Sequence, residues 1–224
     1  MFRAFVHSSF AILIFMSLVC SVSIRHGHAD VAVAETADAI RPLGAGDAAP
    51  RFTVKSVDNE QFEFDPQNLK RPVILLAFRG GWCPFCNMYL SEMRHAIPEI
   101  TAMGIDVLFL SGDRAELLFA SLNRETQEDI AGLEYTILSD ANAQAAIALG
   151  IAFRASDRTV NRRNEKGEDI VGSSMDRHGV LPVPAVFAID RHGIIRFAYT
   201  NANYRVRLPA DDLMAAAREI AAAD

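Results

Sequence analysis

The apolar run Val73-Ile74-Leu75-Leu76-Ala77-Phe78 leads directly into Arg79-Gly80-Gly81-Trp82-Cys83-Pro84-Phe85-Cys86. An unbroken run of this length, closed by a glycine turn, reads as a strand buried on both faces. Beyond it, Cys86, Leu90, Met93, Ile97 and Ile100 recur at steps of four and three, the stripe of an amphipathic helix. Pro98 should kink that helix and Gly104 should end it. A buried strand, a tight turn and a helix in direct succession leave few folds open, and they put the turn residues at a strand end and a helix start together.

The rest of the chain extends the alternation. Ile105–Leu110 reads as a second buried strand, and Ser111-Gly112-Asp113 turns into a helix near Arg114–Asn123. Tyr135–Leu138 is a third strand and Ala141–Leu149 a third helix. Residues 153–179 are charged and aperiodic, which predicts a solvated loop. Ala185–Ile189 and Ile194–Tyr199 flank Asp190-Arg191-His192-Gly193, a hairpin with its turn signal. Pro209 precedes a closing helix from Ala210 to about Ala222. Phe52–Val54 and Phe62–Phe64 form an added N-terminal hairpin. The fold class is therefore α/β, a central mixed sheet with helices on both faces and an N-terminal hairpin extension.

The first 29 residues hold no Asp or Glu; Arg3 precedes an apolar run from Phe10 to Ile24, and Gly27-His28-Ala29 follows. That is the pattern of a secretory signal. The expected location is outside the cytoplasm, in a bacterial periplasm; an uncleaved segment would instead anchor the chain to the membrane, facing the periplasm. Residues 30–46 read as a flexible leader and 47–224 as one domain. Removal of residues 1–29 takes away Arg3 and Arg25, so the formal charge goes from −6 to −8. An acidic domain gives no electrostatic reason to bind nucleic acid.

Cysteine usage bounds the chemistry. Cys20 lies in the expected signal, so Cys83 and Cys86 are the cysteines left. Exported cysteine pairs are often structural disulfides, but a bridge across two intervening residues closes almost no loop and stabilises little. Exchange chemistry is the better use. The helix start lowers the pKa of the first cysteine, so Cys83 is expected to be the exposed nucleophile and Cys86 the more buried partner. Pro84 suits a first helical position, and Trp82 gives a flat apolar wall beside the sulfur. Zinc would need two more ligands, and His95, His178 and His192 are scattered without ligand spacing, so no metal or other cofactor is expected. Met88 and Met93 read as core fillers, and Arg162-Arg163 as solvated.

A strand, an aromatic residue, Cys-x-x-Cys and a helix within a βαβ order signal a thioredoxin-like fold. Several stretches together resemble the peroxiredoxin (alkyl hydroperoxide reductase/thiol-specific antioxidant) family. They are Gly46-Asp47-Ala48-Ala49-Pro50-Arg51-Phe52-Thr53, the Phe78–Cys86 segment, Leu181-Pro182-Val183-Pro184-Ala185-Val186-Phe187-Ala188-Ile189-Asp190 and Asn203-Tyr204-Arg205-Val206-Arg207. The resemblance implies a cis-proline at Pro184 facing the dithiol. It also shows departures: Cys86 falls on the family's peroxidatic cysteine, Cys83 on its threonine, Arg79 on an early proline and Pro184 on its late arginine. Arg79 is the evident local replacement for the missing donors, and no chemical role follows for Tyr204 or Arg205.

Two enzyme readings follow. In one, a peroxide oxidises a cysteine and the other condenses with it to a Cys83–Cys86 disulfide, which a thioredoxin-like donor reduces. In the other, Cys83 attacks a disulfide of an exported protein and Cys86 resolves the mixed disulfide. The peroxidase is the principal expectation. The alignment favours Cys86 as its nucleophile, while helix-end chemistry favours Cys83.

Overall fold

The computed structural model describes residues 33–165 and 173–223. The expected signal, Cys20 and the side chains of Arg162 and Arg163 lie outside what is described.

In chain order the elements are β1 (Phe52–Lys55), β2 (Gln61–Phe64), β3 (Val73–Phe78), α1 (Pro84–Ala102), β4 (Asp106–Ser111), α2 (Arg124–Ile130), β5 (Thr136–Ser139), α3 (Gln144–Ala148), β6 (Ala152–Arg154), α4 (Asp157–Glu165), α5 (Ser174–His178), β7 (Val180–Pro182), β8 (Ala185–Ile189), β9 (Ile195–Thr200) and α6 (Ala210–Ala222). Seven strands form one sheet in the order β2-β1-β5-β4-β3-β8-β9. β3, β4 and β5 run parallel, while β8, β9, β1 and β2 pair antiparallel. This is the mixed sheet expected from the sequence, and β3 lies inside it between β4 and β8.

The pleat of β3 explains its unbroken apolar run. Ile74, Leu76 and Phe78 join a core with Leu90, Met93, Ile97 and Ile100 of α1 and Leu213, Ala217 and Ile220 of α6. Val73, Leu75 and Ala77 face the opposite core, with Phe52, Phe64, Ala145 and Leu149. A strand covered on both sides needs apolar residues at every position. The α1 helix runs through Pro98 to Ala102 and ends at Gly104, whose φ of +79° favours glycine.

Several expectations are corrected. The helix anticipated at Arg114–Asn123 is only a 3₁₀ turn at Ala115–Leu117; the helix follows at α2, where the Asn123 side chain accepts the Thr126 N–H at 2.8 Å. The stretch read as a loop over 153–179 contains most of β6, all of α4 and all of α5, and β6 pairs with β7 just beyond it. These elements are too short to show a period. The segment read as a flexible leader is held from residue 33 onward. Ala34 N–H donates to the Ala152 carbonyl at 2.9 Å, Arg154 N–H to Ala34 at 2.8 Å, and Leu43 N–H to Leu149 at 3.1 Å. Met93 is core, but Met88 is 58% exposed, because it falls on the solvent side of α1.

Candidate active site

The dithiol lies where β3 ends and α1 begins, and the local sequence sets its geometry. Cys83 is the N-cap of α1, Pro84 is its first residue, and Cys86 follows within the first turn. The Cys83 carbonyl accepts the N–H of Cys86 at 2.9 Å and of Asn87 at 3.1 Å. Gly80 takes φ +146°, and a Cβ there would collide with Trp82 and Asp113. A Cβ on Gly81 would overlap Ser121. The glycine pair is thus required by close approach, not only by the turn.

Two buried polar residues fix this loop. Asp113 accepts the Gly81 N–H at 2.6 Å and the Ser121 hydroxyl at 2.8 Å. Asn87 donates to the Gly81 carbonyl at 2.6 Å and accepts the Asn123 N–H at 2.8 Å. The loop, α1 and the segment before α2 are therefore joined by charged and amide hydrogen bonds inside the fold.

Both sulfurs are free thiols and both are buried. The expected exposure of Cys83 is corrected: at 0% it is as covered as Cys86 at 1%. Trp82, itself buried, stands beside the pair, with the Arg79 guanidinium 5.2 Å from its ring centre. The order of acidity expected from the helix start holds even so. The Cys83 thiol is pulled down to about 6, chiefly by the hydrogen bond from the Cys86 thiol. Burial opposes this, while Arg79, the Cys86 N–H and Arg207 assist it. Burial and the adjacent Cys83 sulfur push Cys86 up, against the pull of Arg207. The two thiols titrate as one unit that readily loses its first proton and resists losing the second.

The cations around the dithiol come from distant parts of the chain. Arg79 is buried at the end of β3 and also lies 4.4 Å from the Tyr204 ring centre. Tyr204 packs edge-on against Phe85, 5.6 Å between centres, and Arg205 lies 5.4 Å from Phe85. Arg207 Nη2 donates to Cys86 Sγ at 3.3 Å. Arg207 has no local signal and lies 121 residues from Cys86. The pointer to it in the sequence was its place in the Asn203–Arg207 stretch.

Pro184 also reaches the dithiol, lining a cavity of about 20 Å³ against Cys86. The cis bond expected there is corrected: among the described residues every peptide is trans, the ordinary preference even before proline. Two wider clefts, about 270 and 530 Å³, lie elsewhere and have no cysteine in their walls. The histidines are apart from the dithiol. His95 and His192 are exposed, and His178 Nε2 lies 3.0 Å from the Ala141 carbonyl. Among the described residues, no three His, Cys, Asp or Glu side chains converge to hold a metal ion.

A Cys-x-x-Cys pair at the start of a helix, after an inner strand of a mixed sheet, is the arrangement of a thioredoxin-like fold. The AhpC/TSA family model matches residues 45–198, and the chain belongs to that family. It is 30% identical over 112 residues to peroxiredoxin Bcp of Escherichia coli (strain K12), covering 50% of this chain and 67% of that protein. It is 23% identical over 148 residues to the thiol-disulfide oxidoreductase ResA of Bacillus thuringiensis (strain Al Hakam), covering 66% and 65%. Among solved structures, a peroxiredoxin-like protein from Aquifex aeolicus superposes with TM-score 0.60 at 15% identity, over 80% of this chain and 89% of that one. These structural likenesses concern the fold.

Proposed function

We propose that the protein is a thiol peroxidase that reduces hydrogen peroxide or organic hydroperoxides through Cys83 and Cys86. The carrying observation is the hydrogen-bonded thiol pair, its first proton lost near pH 6, set between Arg79 and Arg207. A thiolate with cations beside it is the nucleophile that peroxide cleavage needs, and the cations stabilise the charge that develops on the leaving oxygen. Oxidation gives a sulfenic acid, and the neighbouring sulfur displaces its hydroxyl to form the Cys83–Cys86 disulfide. A thioredoxin-like protein returns it to the dithiol by exchange.

A second reading is a thiol–disulfide oxidoreductase. It is favoured by the Cys83 position at the helix N-cap and by the similarity to ResA. Trp82, the one tryptophan, reports on both. The reduced protein is mixed in stopped flow with hydrogen peroxide or with a small aromatic disulfide. The peroxidase reading expects oxidation by peroxide far faster than that of free cysteine; a rate equal to free cysteine leaves only the exchange reading. Retained turnover in both Cys83→Ser and Cys86→Ser would exclude any dithiol mechanism.

The proposal extends to place. The acid-free, apolar composition of residues 1–29 supports export to a periplasm, with cleavage or anchoring as the two fates. No helix among the described residues is long and apolar enough to cross a membrane. Fractionation with N-terminal sequencing of the recovered protein tests both parts.

A further inference from the structure

The small cavity beside the dithiol touches one sulfur. Cys86 lines it and Cys83 does not. Its walls are otherwise mostly apolar, Pro184 and Leu208 among them, but three polar side chains also line it: Tyr89, Arg207 and Tyr199, whose hydroxyl accepts from Asn201 Nδ2 at 3.4 Å. Tyr89 follows Cys86 by one turn of α1 and is 92% covered, since 8% of its surface is exposed. Arg207 arrives from the segment before α6, its guanidinium carbon 5.8 Å from the Tyr89 ring centre. Nη2 of Arg207 is engaged by Cys86 Sγ. Arg207 Nη1 and Tyr89 Oη are buried and have no hydrogen-bond partner among the described residues. Buried donors without partners cost free energy, so their meeting in one cavity against a sulfur marks a site for an oxygen-bearing ligand. About 20 Å³ is the room of a water-sized group or slightly more.

We propose that Arg207 Nη1 and Tyr89 Oη hold the oxygens of a small peroxide against Cys86, and that Cys86 is the sulfur that takes the oxygen. This rests on the peroxidase reading and specifies its site. Arg207 then bridges sulfur and substrate: one nitrogen favours the Cys86 thiolate and the other meets the peroxide. Burial raises the Tyr89 pKa, so its hydroxyl keeps its proton and acts as a donor. Of the two singly deprotonated forms of the pair, the one with the proton on Cys86 predominates. The reactive arrangement is the other, reached when the shared proton passes to Cys83 and Arg207 Nη2 holds the Cys86 thiolate. Cys86 thiolate attacks the near oxygen, the S–O bond forms and the O–O bond breaks. The leaving oxygen takes the Cys83 proton and departs as water or an alcohol. Cys83 thiolate then attacks the Cys86 sulfenic acid, and the expelled hydroxide takes a proton from solvent to become water. Two electrons pass from the dithiol to the peroxide. The cavity's size selects hydrogen peroxide over bulky hydroperoxides.

The test compares Tyr89→Phe and Arg207→Gln with wild type in two reactions, with hydrogen peroxide and with a small aromatic disulfide. Arg207→Gln should slow the peroxide step about a hundredfold, the order seen on losing one donor to developing charge. Arg207→Lys should restore part of that. Tyr89→Phe keeps the ring and the packing, so it serves if the arginine variant folds poorly; it should slow the peroxide step about tenfold and change disulfide exchange by less than about threefold. Dimedone trapping with mass spectrometry locates the oxygen: the adduct should form on Cys86 in Cys83→Ser, and Cys86→Ser should give none. A peroxide rate unchanged in both Tyr89→Phe and Arg207→Gln, or an adduct on Cys83 instead of Cys86, overturns this site while leaving the peroxidase intact. A wild-type protein that exchanges disulfides but ignores peroxide overturns both.

Discussion

The Asp113 carboxylate accepts the Gly81 N–H at 2.6 Å across 32 residues of chain. It binds the end of β4 to the loop that carries Cys83. The same carboxylate accepts the Ser121 hydroxyl at 2.8 Å, so one buried charge orders three segments. Asp113→Ala would leave the Gly81 N–H without this acceptor and remove a charge-assisted network. Urea unfolding should show a loss of about 2–3 kcal/mol. Trp82 should become mobile, because the glycine pair beside it loses its anchor; fluorescence anisotropy of the folded variant checks this. An unchanged unfolding midpoint would contradict the anchoring role.

Gly81 is the partner in that contact, and it has no room for a side chain. A Cβ there would overlap Ser121, including its backbone, which cannot rotate away. Gly81→Ala should therefore cost about 1–3 kcal/mol and displace the Ser121 segment from the dithiol loop. Thermal unfolding gives the first quantity. Faster alkylation of Cys83, as the cover opens, gives the second.

The Cys83 thiol, lowered to about 6, sets a pH dependence. The reduced protein should show a thiolate absorbance rising through pH 6 and corresponding to one sulfur, with the second absent until well above the usual thiol range. The stability consequence has a definite sign. A group whose folded pKa is depressed contributes stability that is present above its unfolded value of about 8.5 and lost as pH falls through the folded value. Cys83 thus stabilises the reduced protein above that range and ceases to do so below about 6. Arg79→Gln removes one of the cations responsible, so the absorbance midpoint should move up. A midpoint unchanged by Arg79→Gln would mean that Arg79 does not act on the sulfur.

The sequence disclosed those parts of the fold whose neighbours are uniform. β3 and β8 are apolar at every position, and β4 at its four central ones, because both sheet faces are covered, and the α1 stripe repeats over four turns. α2 escaped because its residues are mostly polar and its start is set by Asn123, a capping signal that was available in the sequence. β6 and β7 have three residues each and exist by pairing with one another. At the site, the dithiol and Arg79 are contiguous and legible. Arg207 and Tyr89 gain their meaning from the return of the chain before α6, which no local pattern encodes. The burial of Cys83 is non-local in the same way: a helix start is usually open, and here Cys83 belongs to one core cluster with Trp82, Leu118 and Leu122.

Composition alone also hid the attachment of residues 33–43. Ala and Asp suggest a solvated leader, yet the segment donates and accepts backbone hydrogen bonds with β6 and with Leu149. Val33 and Leu43 pack on the core that holds Leu149 and Ile151. Removing this segment uncovers that apolar surface and leaves the Arg154 N–H without the Ala34 carbonyl. A chain beginning at Gly44 should therefore lose about 2–3 kcal/mol relative to one beginning at Asp30. Its peroxide and disulfide reactions should be unchanged at temperatures where it stays folded, because among the described residues the backbone of the segment bonds to β6 and Leu149 and not to the dithiol loop. Denaturant titration of the two chains measures the first effect, and stopped-flow oxidation the second. Equal midpoints would return residues 33–43 to the status of a tether.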